Sequence, residues 1–237
     1  MTDERKRRIQ IELIKSKEEY VGLRSGSLQR RIALEHKIGC IEYALGFEES
    51  EIIGCFERAA ALVPDLLKLG SIEPSLALSA WGICLIARRH DVLDLLSQAD
   101  SERLGTQHVE KKYIRMIANI FRANQKSWKR DFDGVHDEIK EYDRLLTRRR
   151  TNRTFQKWAD GLRDIHLAKA TGRDVGEVVT TRRRYLEESY HEEEVDHEGL
   201  LDVHGMGVFG AGRLGGWRIS SERNPFPVEL HRQSEEK

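Results

Sequence analysis

Histidines and carboxylates are concentrated in one short segment, residues 188–198, which reads ESYHEEEVDHE. On a helix, Glu193 and His197 would lie one turn apart on the same face, where they could bind a divalent metal ion. Acidic runs more often form a solvated surface, so the sequence predicts no metal site here. The alternative is a contact patch for a basic partner. Its predicted residues are Glu192, Glu193, Glu194 and Asp196.

A glycine-rich stretch, HGMGVFGAGRLGGW, runs from His204 to Trp217 and contains the G-x-G-x-x-G spacing that cradles a dinucleotide pyrophosphate. That spacing is informative only between a buried strand and a helix of a βαβ unit. Here an acidic segment precedes it, and Pro225 and Pro227 follow closely. We therefore predict that the segment binds no nucleotide cofactor.

The same glycines leave two structural alternatives for residues 205–216. Each glycine inside a helix costs about 1 kcal/mol relative to alanine, which favours a loop unless close packing compensates. We favour a helix whose glycine face, at Gly205, Gly207 or Gly210, lies against another backbone. Gly215 and Gly216 would then end it.

Two arginine clusters could contact nucleic-acid phosphates: the segment RLLTRRRTNR, from Arg144 to Arg153, and Arg182–Arg184. The chain, however, has 40 basic and 40 acidic residues, and no aromatic residues are interleaved with these clusters as they are in single-strand binders. We interpret the arginines as helix C-termini, where cations interact favourably with the helix dipole. Composition therefore argues against a dedicated nucleic-acid binder.

Known catalytic motifs are missing from the sequence: it contains no G-x-S-x-G, H-E-x-x-H, Walker or protein-kinase motif. We expect most histidines to lie at the surface or at helix ends, and the tryptophans at 81, 128 and 158 to be packing anchors. The three cysteines, at 40, 55 and 84, are predicted to be buried free thiols. The sequence therefore predicts no catalytic residue, no metal and no cofactor. The scattered histidines are His36, His90, His108, His136, His166, His204 and His231.

Helical periodicity runs through almost the whole chain, whereas strand alternation is nearly absent. Apolar stripes of helical period cover residues 28–45, 52–66, 76–87, 113–121, 135–146, 155–165 and 175–186. They predict an all-α domain of about eight to ten amphipathic helices packed as antiparallel hairpins. We divide the chain into a charged, loosely packed N-terminal helix (1–24), a helical domain (25–222) and a short extended tail (223–237).

Several residues predict where these helices begin and end. Asp131, Asp174 and either Ser71 or Pro74 have the character of helix starts. Pro64 should kink or end its helix. The predicted breaks are Gly46, Gly70, Gly105 and Gly172.

One predicted hairpin, residues 40–64, carries a second pattern. Cys40, Tyr43, Phe56, Ala59 and Pro64 stand where a tetratricopeptide repeat has its small, aromatic and proline residues. The pattern is lost one repeat later, after about 34 residues. We therefore predict a single repeat-like hairpin and not a regular solenoid.

The closing block, residues 197–230, resembles bacterial immunity proteins of polymorphic toxin systems, in particular the immunity protein 49 family. The helical immunity proteins of PoNe-type DNase toxins are similar in style. Such proteins carry a late helix of small residues with an Arg-x-Gly element and then a Pro-x-x-Leu ending. Residues Gly212–Gly216 and Pro227–Leu230 stand in those places. Glycine replaces much of the alanine of that helix, and the motif carries no functional residues.

This resemblance implies an antitoxin that binds one cognate toxin and blocks it by protein–protein contact, with electrostatic complementarity speeding capture. We place it in the cytoplasm, because no apolar run approaches a membrane span and the N-terminus lacks a signal peptide. Two alternatives are a helical-repeat-like adaptor and, more remotely, a metal-dependent hydrolase using the acidic segment. A homo-oligomer is also left open.

Overall fold

The computed structural model describes residues 2–23, 27–105, 111–147, 153–189 and 200–214. Within these ranges the chain forms ten α-helices and one 3-10 turn, and the only β-pairing is an isolated bridge between Ile72 and Leu104. The all-α prediction is confirmed. The helices are α1 (Asp3–Gly22), α2 (Leu28–Leu45), α3 (Glu49–Leu66), α4 (Pro74–Ile86), α5 (His90–Gln98), α6 (Lys111–Trp128), α7 (Phe132–Thr147), α8 (Arg153–Thr171), α9 (Val175–Ser189) and α10 (Val203–Leu214).

The predicted helix starts are found with their capping hydrogen bonds. The Asp131 carboxylate accepts a hydrogen bond from the Gly134 amide (2.9 Å) at the start of α7. Asp174 does the same for Gly176 (2.8 Å) at the start of α9. Of the two candidates for α4, Pro74 is correct, since it is the first helical residue. The Asp131 and Asp174 side chains accept hydrogen bonds from amides that the first helical turn leaves without a partner.

The predicted breaks at Gly46 and Gly172 are also confirmed. Both residues lie at the C-termini of their helices with positive φ angles of 76° and 68°, a conformation that costs a glycine little. Pro64 lies inside the last turn of α3, which ends two residues later at Leu66. The sequence stripes assign no helix to α5, whose nine residues are too few to show a clear period.

The α2–α3 hairpin has the close helix approach that its repeat-like pattern predicts. Cys40 and Ala59 are fully buried. The residue that permits the approach is the neighbouring Gly39: a Cβ there would lie 2.8 Å from the Phe56 ring. A glycine in contact with an aromatic ring thus sets the spacing of this hairpin.

Helix α10 lies in the middle of the fold, packed against α4, α6 and α8. Every residue from Val203 to Ala211 is buried. A helix that is apolar on all sides is stable in water only when neighbours cover it all round, as they do here. None of the helices in the described ranges combines the length and apolar content that a membrane span needs.

The predicted N-terminal helix is α1, which contacts α2. Ile9 and Leu13 are buried in a small cluster with Ile38, Ile41 and Cys55. The opposite face of α1 is exposed to solvent. The predicted tail, 223–237, lies outside the described residues.

Candidate functional site

The acidic segment predicted to contact a partner, with Glu192, Glu193, Glu194 and Asp196, lies outside the described residues, as do Arg148–Arg150. The chain enters this segment from α9 and leaves it at Leu200. The residues nearest to it that are described therefore belong to α9 and to the start of α10. Within the described part of the chain, several polar side chains are buried around α10, among them Lys169, Arg182 and His204.

The glycine-rich segment is a helix as far as Leu214, which decides between the two alternatives for its described part. A Cβ on Gly207 would lie 2.8 Å from the Gly82 backbone nitrogen and 2.9 Å from the Trp81 Cβ. A Cβ on Gly82 would lie 2.8 Å from the Val203 carbonyl carbon. Helices α4 and α10 therefore cross with their backbones in contact, as the favoured interpretation predicts.

A buried ion pair holds the start of α10. Arg182 Nε and Nη2 donate to the two carboxylate oxygens of Asp202 at 2.7 and 3.1 Å, and the Arg182 side chain is only 1% exposed. Arg182 Nη1 also donates to the Trp158 carbonyl (2.6 Å), and Asp202 accepts from the Gly205 amide (2.9 Å). One arginine thus ties α8, α9 and the cap of α10 together.

This geometry corrects the interpretation of the second arginine cluster. Residues 182–184 lie in the middle of α9 and not at its C-terminus. Arg183 and Arg184 are exposed, whereas Arg182 points into the fold because Asp202 neutralises its charge there. A charged side chain is buried only where such a partner is present.

His204 and Ser79 form a second buried polar pair, between α10 and α4. His204 Nε2 lies 2.8 Å from Ser79 Oγ and 3.1 Å from the Ser75 carbonyl oxygen. Ser79 Oγ donates a hydrogen bond to the same Ser75 carbonyl oxygen (3.1 Å). Both His204 contacts are therefore satisfied when Nε2 carries the proton and donates. In that tautomer His204 cannot take a proton from Ser79, so the pair does not form a nucleophile and its base.

The prediction that most histidines lie at the surface or at helix ends is wrong for His36 and His166, which lie inside α2 and α8, whereas His204 lies at the start of α10 but is also buried. His36, His166 and His204 are at most 2% exposed. Neutral imidazole packs as an aromatic ring: His36 contacts Phe56 and His204 at centroid distances of 6.3 and 6.2 Å. Helical periodicity indicates which face of a helix is buried, but it does not indicate that a histidine on that face will itself be buried.

Lys169 and His166 lie in the same buried region of α8. Lys169 is 3% exposed, and its Nζ donates to the Val208 carbonyl of α10 (2.8 Å). Burial lowers the pKa of Lys169 from its usual 10.5 to about 7. Burial, and next the nearby Lys169 charge, holds the pKa of His166 well below 6.5. Neither ring nitrogen of His166 has a hydrogen-bond partner among the described residues.

We expect Lys169→Met to stabilise the protein at pH 7 and to change how its stability depends on pH. The folded and usual pKa values of Lys169 are about 7 and 10.5. Between these two pH values, Lys169 of the wild type is mostly protonated in the unfolded chain but mostly neutral in the folded protein. Its contribution to stability is therefore largest above that interval, falls as the pH falls through it, and is constant below pH 7. Urea unfolding from pH 7 to 10 should show a rise in wild-type stability that the variant lacks; identical slopes would contradict the buried-lysine account.

All three cysteines are buried and free, as predicted. Burial, followed by the hydrogen bond to Glu42, raises the pKa of the Cys55 thiol to about 12, which keeps it protonated. The packing role predicted for the tryptophans is found: Trp81 is fully buried and contacts Phe121 and Trp128 edge-on, both at 6.3 Å.

Two residues that organise this region were missed in the sequence, although signals were present. Gly82 stands inside an otherwise apolar helical run, where a glycine often marks close backbone contact. Lys169 stands four residues after Ile165, on the apolar stripe of α8, where a lysine interrupts the pattern. Each departure from the pattern marks a contact with α10.

Within the described ranges, no three histidine, cysteine, aspartate or glutamate side chains are grouped as a metal site requires. No family model, no curated protein and no solved structure matches the chain.

Proposed function

We propose that this protein is a bacterial immunity protein that binds a cognate toxin in the cytoplasm and neutralises it by protein–protein contact. The observation that carries the proposal is the closing block, residues 197–230, which resembles immunity protein 49. Its described part, 200–214, contains α10 (Val203–Leu214), the central helix on which α4, α6 and α8 pack. The closing block therefore includes the helix at the centre of the fold.

The chemistry of the buried polar residues supports a binding function over catalysis. Arg182 donates to Asp202 and the Trp158 carbonyl, and His204 Nε2 lies within hydrogen-bond distance of two oxygens of α4. Lys169 is held by a backbone carbonyl of α10. Each of these groups joins two helices, so their polar chemistry is used within the fold. A protein of this kind needs only a complementary surface to act.

The acidic segment with Glu192, Glu193, Glu194 and Asp196 remains our candidate contact. The chain on both sides of it is anchored in the core, since Leu186 is 1% and Leu201 4% exposed. A segment tied down at both ends loses less conformational entropy on binding than a free tail does. Carboxylates presented in this way would occupy the phosphate positions of a toxin that attacks nucleic acid.

The test is co-expression with the product of each adjacent gene. We expect one neighbour to arrest growth and the wild-type chain to restore it. Changing Glu192, Glu193 and Glu194 to Lys should abolish this protection, because repulsion replaces attraction at the interface, while leaving the melting temperature nearly unchanged.

A matched control carries the same change in charge at distant exposed positions. The control is Glu57→Lys, Asp65→Lys and Asp137→Lys, which breaks only exposed ion pairs of small energy. This control should still protect. Full protection by the Glu192–Glu194 triple variant would exclude the acidic segment as the contact. If neither neighbour is toxic, an adaptor role replaces the immunity role.

A further inference from the structure

Helix α1 carries apolar residues on two opposite faces. Ile9 and Leu13 face the body of the protein and are buried. On the outer face Ile11, Ile14 and Val21 are 45%, 57% and 81% exposed, which makes them three of the five exposed large hydrophobic residues in the described chain. A helix whose only partner is the protein body has no need of this second stripe.

The outer stripe follows a heptad spacing. Arg7, Ile11, Ile14, Glu18 and Val21 succeed one another at intervals of 4, 3, 4 and 3 residues, which is the spacing of the contact seam in a coiled coil. The two charged members, Arg7 and Glu18, are exposed and have opposite signs. They stand on either side of the isoleucine pair.

Arg7 and Glu18 also differ from other charges on α1. Glu12 pairs with Lys37 (2.5 Å) and Glu19 with Arg30 (2.6 Å), so the inward and lateral charges are used to hold α1 on the body. Neither Arg7 nor Glu18 forms an ion pair with any residue in the described ranges.

The geometry points to a second copy of this chain as the occupant of the stripe, with the two α1 helices antiparallel about a two-fold axis. Residues 7 and 18 are symmetric about the same midpoint as residues 11 and 14. In that arrangement Ile11 of each copy faces Ile14 of the other, and Arg7 of each faces Glu18 of the other. The interface is isologous, with four isoleucines at its centre and an ion pair at each end.

The charges select this orientation. A parallel pair would set Arg7 against Arg7 and Glu18 against Glu18, and like charges at facing positions are repulsive. The 20 residues of α1 span about 30 Å, and one face of such a helix buries less than the ~800 Å² per partner of a standard interface. The dimer is therefore weak and forms in a concentration-dependent way.

Sedimentation velocity of the full chain over a range of concentrations tests this pairing. The wild type should shift from monomer toward dimer as its concentration rises. Arg7→Glu or Glu18→Arg alone should weaken the dimer about tenfold or more, because each makes both end pairs repulsive. Lys6→Glu makes the same charge change as Arg7→Glu at a neighbouring exposed residue off the stripe, and should leave the dimer unchanged.

Mixing the two variants gives the decisive result. In a heterodimer of Arg7→Glu with Glu18→Arg, both end pairs join opposite charges again, so the mixture should dimerise about as well as the wild type. Failure of the mixture to dimerise would overturn the antiparallel pairing. A wild type that stays monomeric at every concentration would overturn the proposal as a whole.

Discussion

Gly82→Ala is expected to lower the free energy of unfolding by about 2–3 kcal/mol, a large loss for the addition of one methyl group. The new Cβ would lie 2.7 Å from Val203 Cγ1 and 2.8 Å from the Val203 carbonyl carbon. The second of these is a backbone atom, so relief requires a shift of α10 as a whole. Since α10 also packs on α6 and α8, that shift would disturb three helix contacts.

Gly207→Ala, on the other side of the same crossing, should cost a similar amount, because its Cβ would meet the Gly82 backbone nitrogen at 2.8 Å. The matched control is Gly54→Ala inside α3, where the Cβ would meet only Arg58 Nη1, at 3.4 Å. That change should stabilise the protein by about 0.5–1 kcal/mol through helix propensity. Equal effects at all three glycines in urea denaturation would contradict the backbone contact between α4 and α10.

Asp202→Ala is expected to cost about 3–5 kcal/mol, because it leaves the buried Arg182 guanidinium without its counter-charge. It also removes the side chain that caps α10 at the Gly205 amide. Asp202→Asn separates these effects, since asparagine is as good a cap but carries no charge. We expect Asp202→Asn to lower the free energy of unfolding by most of the amount that Asp202→Ala does.

A double-mutant cycle with Arg182→Met completes this test. Once the arginine is gone, the loss caused by Asp202→Asn should fall well below its value in the wild type, since no buried charge is left unpaired. Thermal and urea unfolding both measure it. If the stability losses of the two single variants added up to that of the double variant, the Arg182 and Asp202 side chains would not be coupled.

The helical architecture was predictable because it rests on local information. Apolar stripes located α2, α3, α4, α6, α7, α8 and α9, and capping residues such as Asp131 and Asp174 placed helix starts to within a residue. The sequence pattern did not predict helix α5, because its apolar residues Val92, Leu93 and Leu96 span barely one turn and a half. The helical form of the glycine-rich segment followed from a physical argument: several glycines in one helix require close packing.

What the sequence did not show depends on pairs of residues far apart in the chain. Arg182 is buried because Asp202 is there, and His204 is buried where its Nε2 lies within hydrogen-bond distance of Ser79 Oγ and the Ser75 carbonyl of α4. Periodicity describes one helix at a time, so it cannot indicate which polar residue finds a buried partner on another. The candidate contact residues Glu192–Glu194 and Asp196 lie outside the described ranges and remain a prediction from charge and position.

Titration of the purified toxin with this protein tests most directly whether neutralisation occurs by contact. Increasing amounts of the chain are added to a fixed amount of the adjacent gene product, and the remaining toxin activity is measured after a short and a long incubation. A binder should abolish activity when the two proteins are equimolar, with the same end point at both times. If much less than one molecule of this protein per toxin molecule abolished the activity, and the effect grew with incubation time, the protein would act by catalytic turnover. That result would contradict neutralisation by contact.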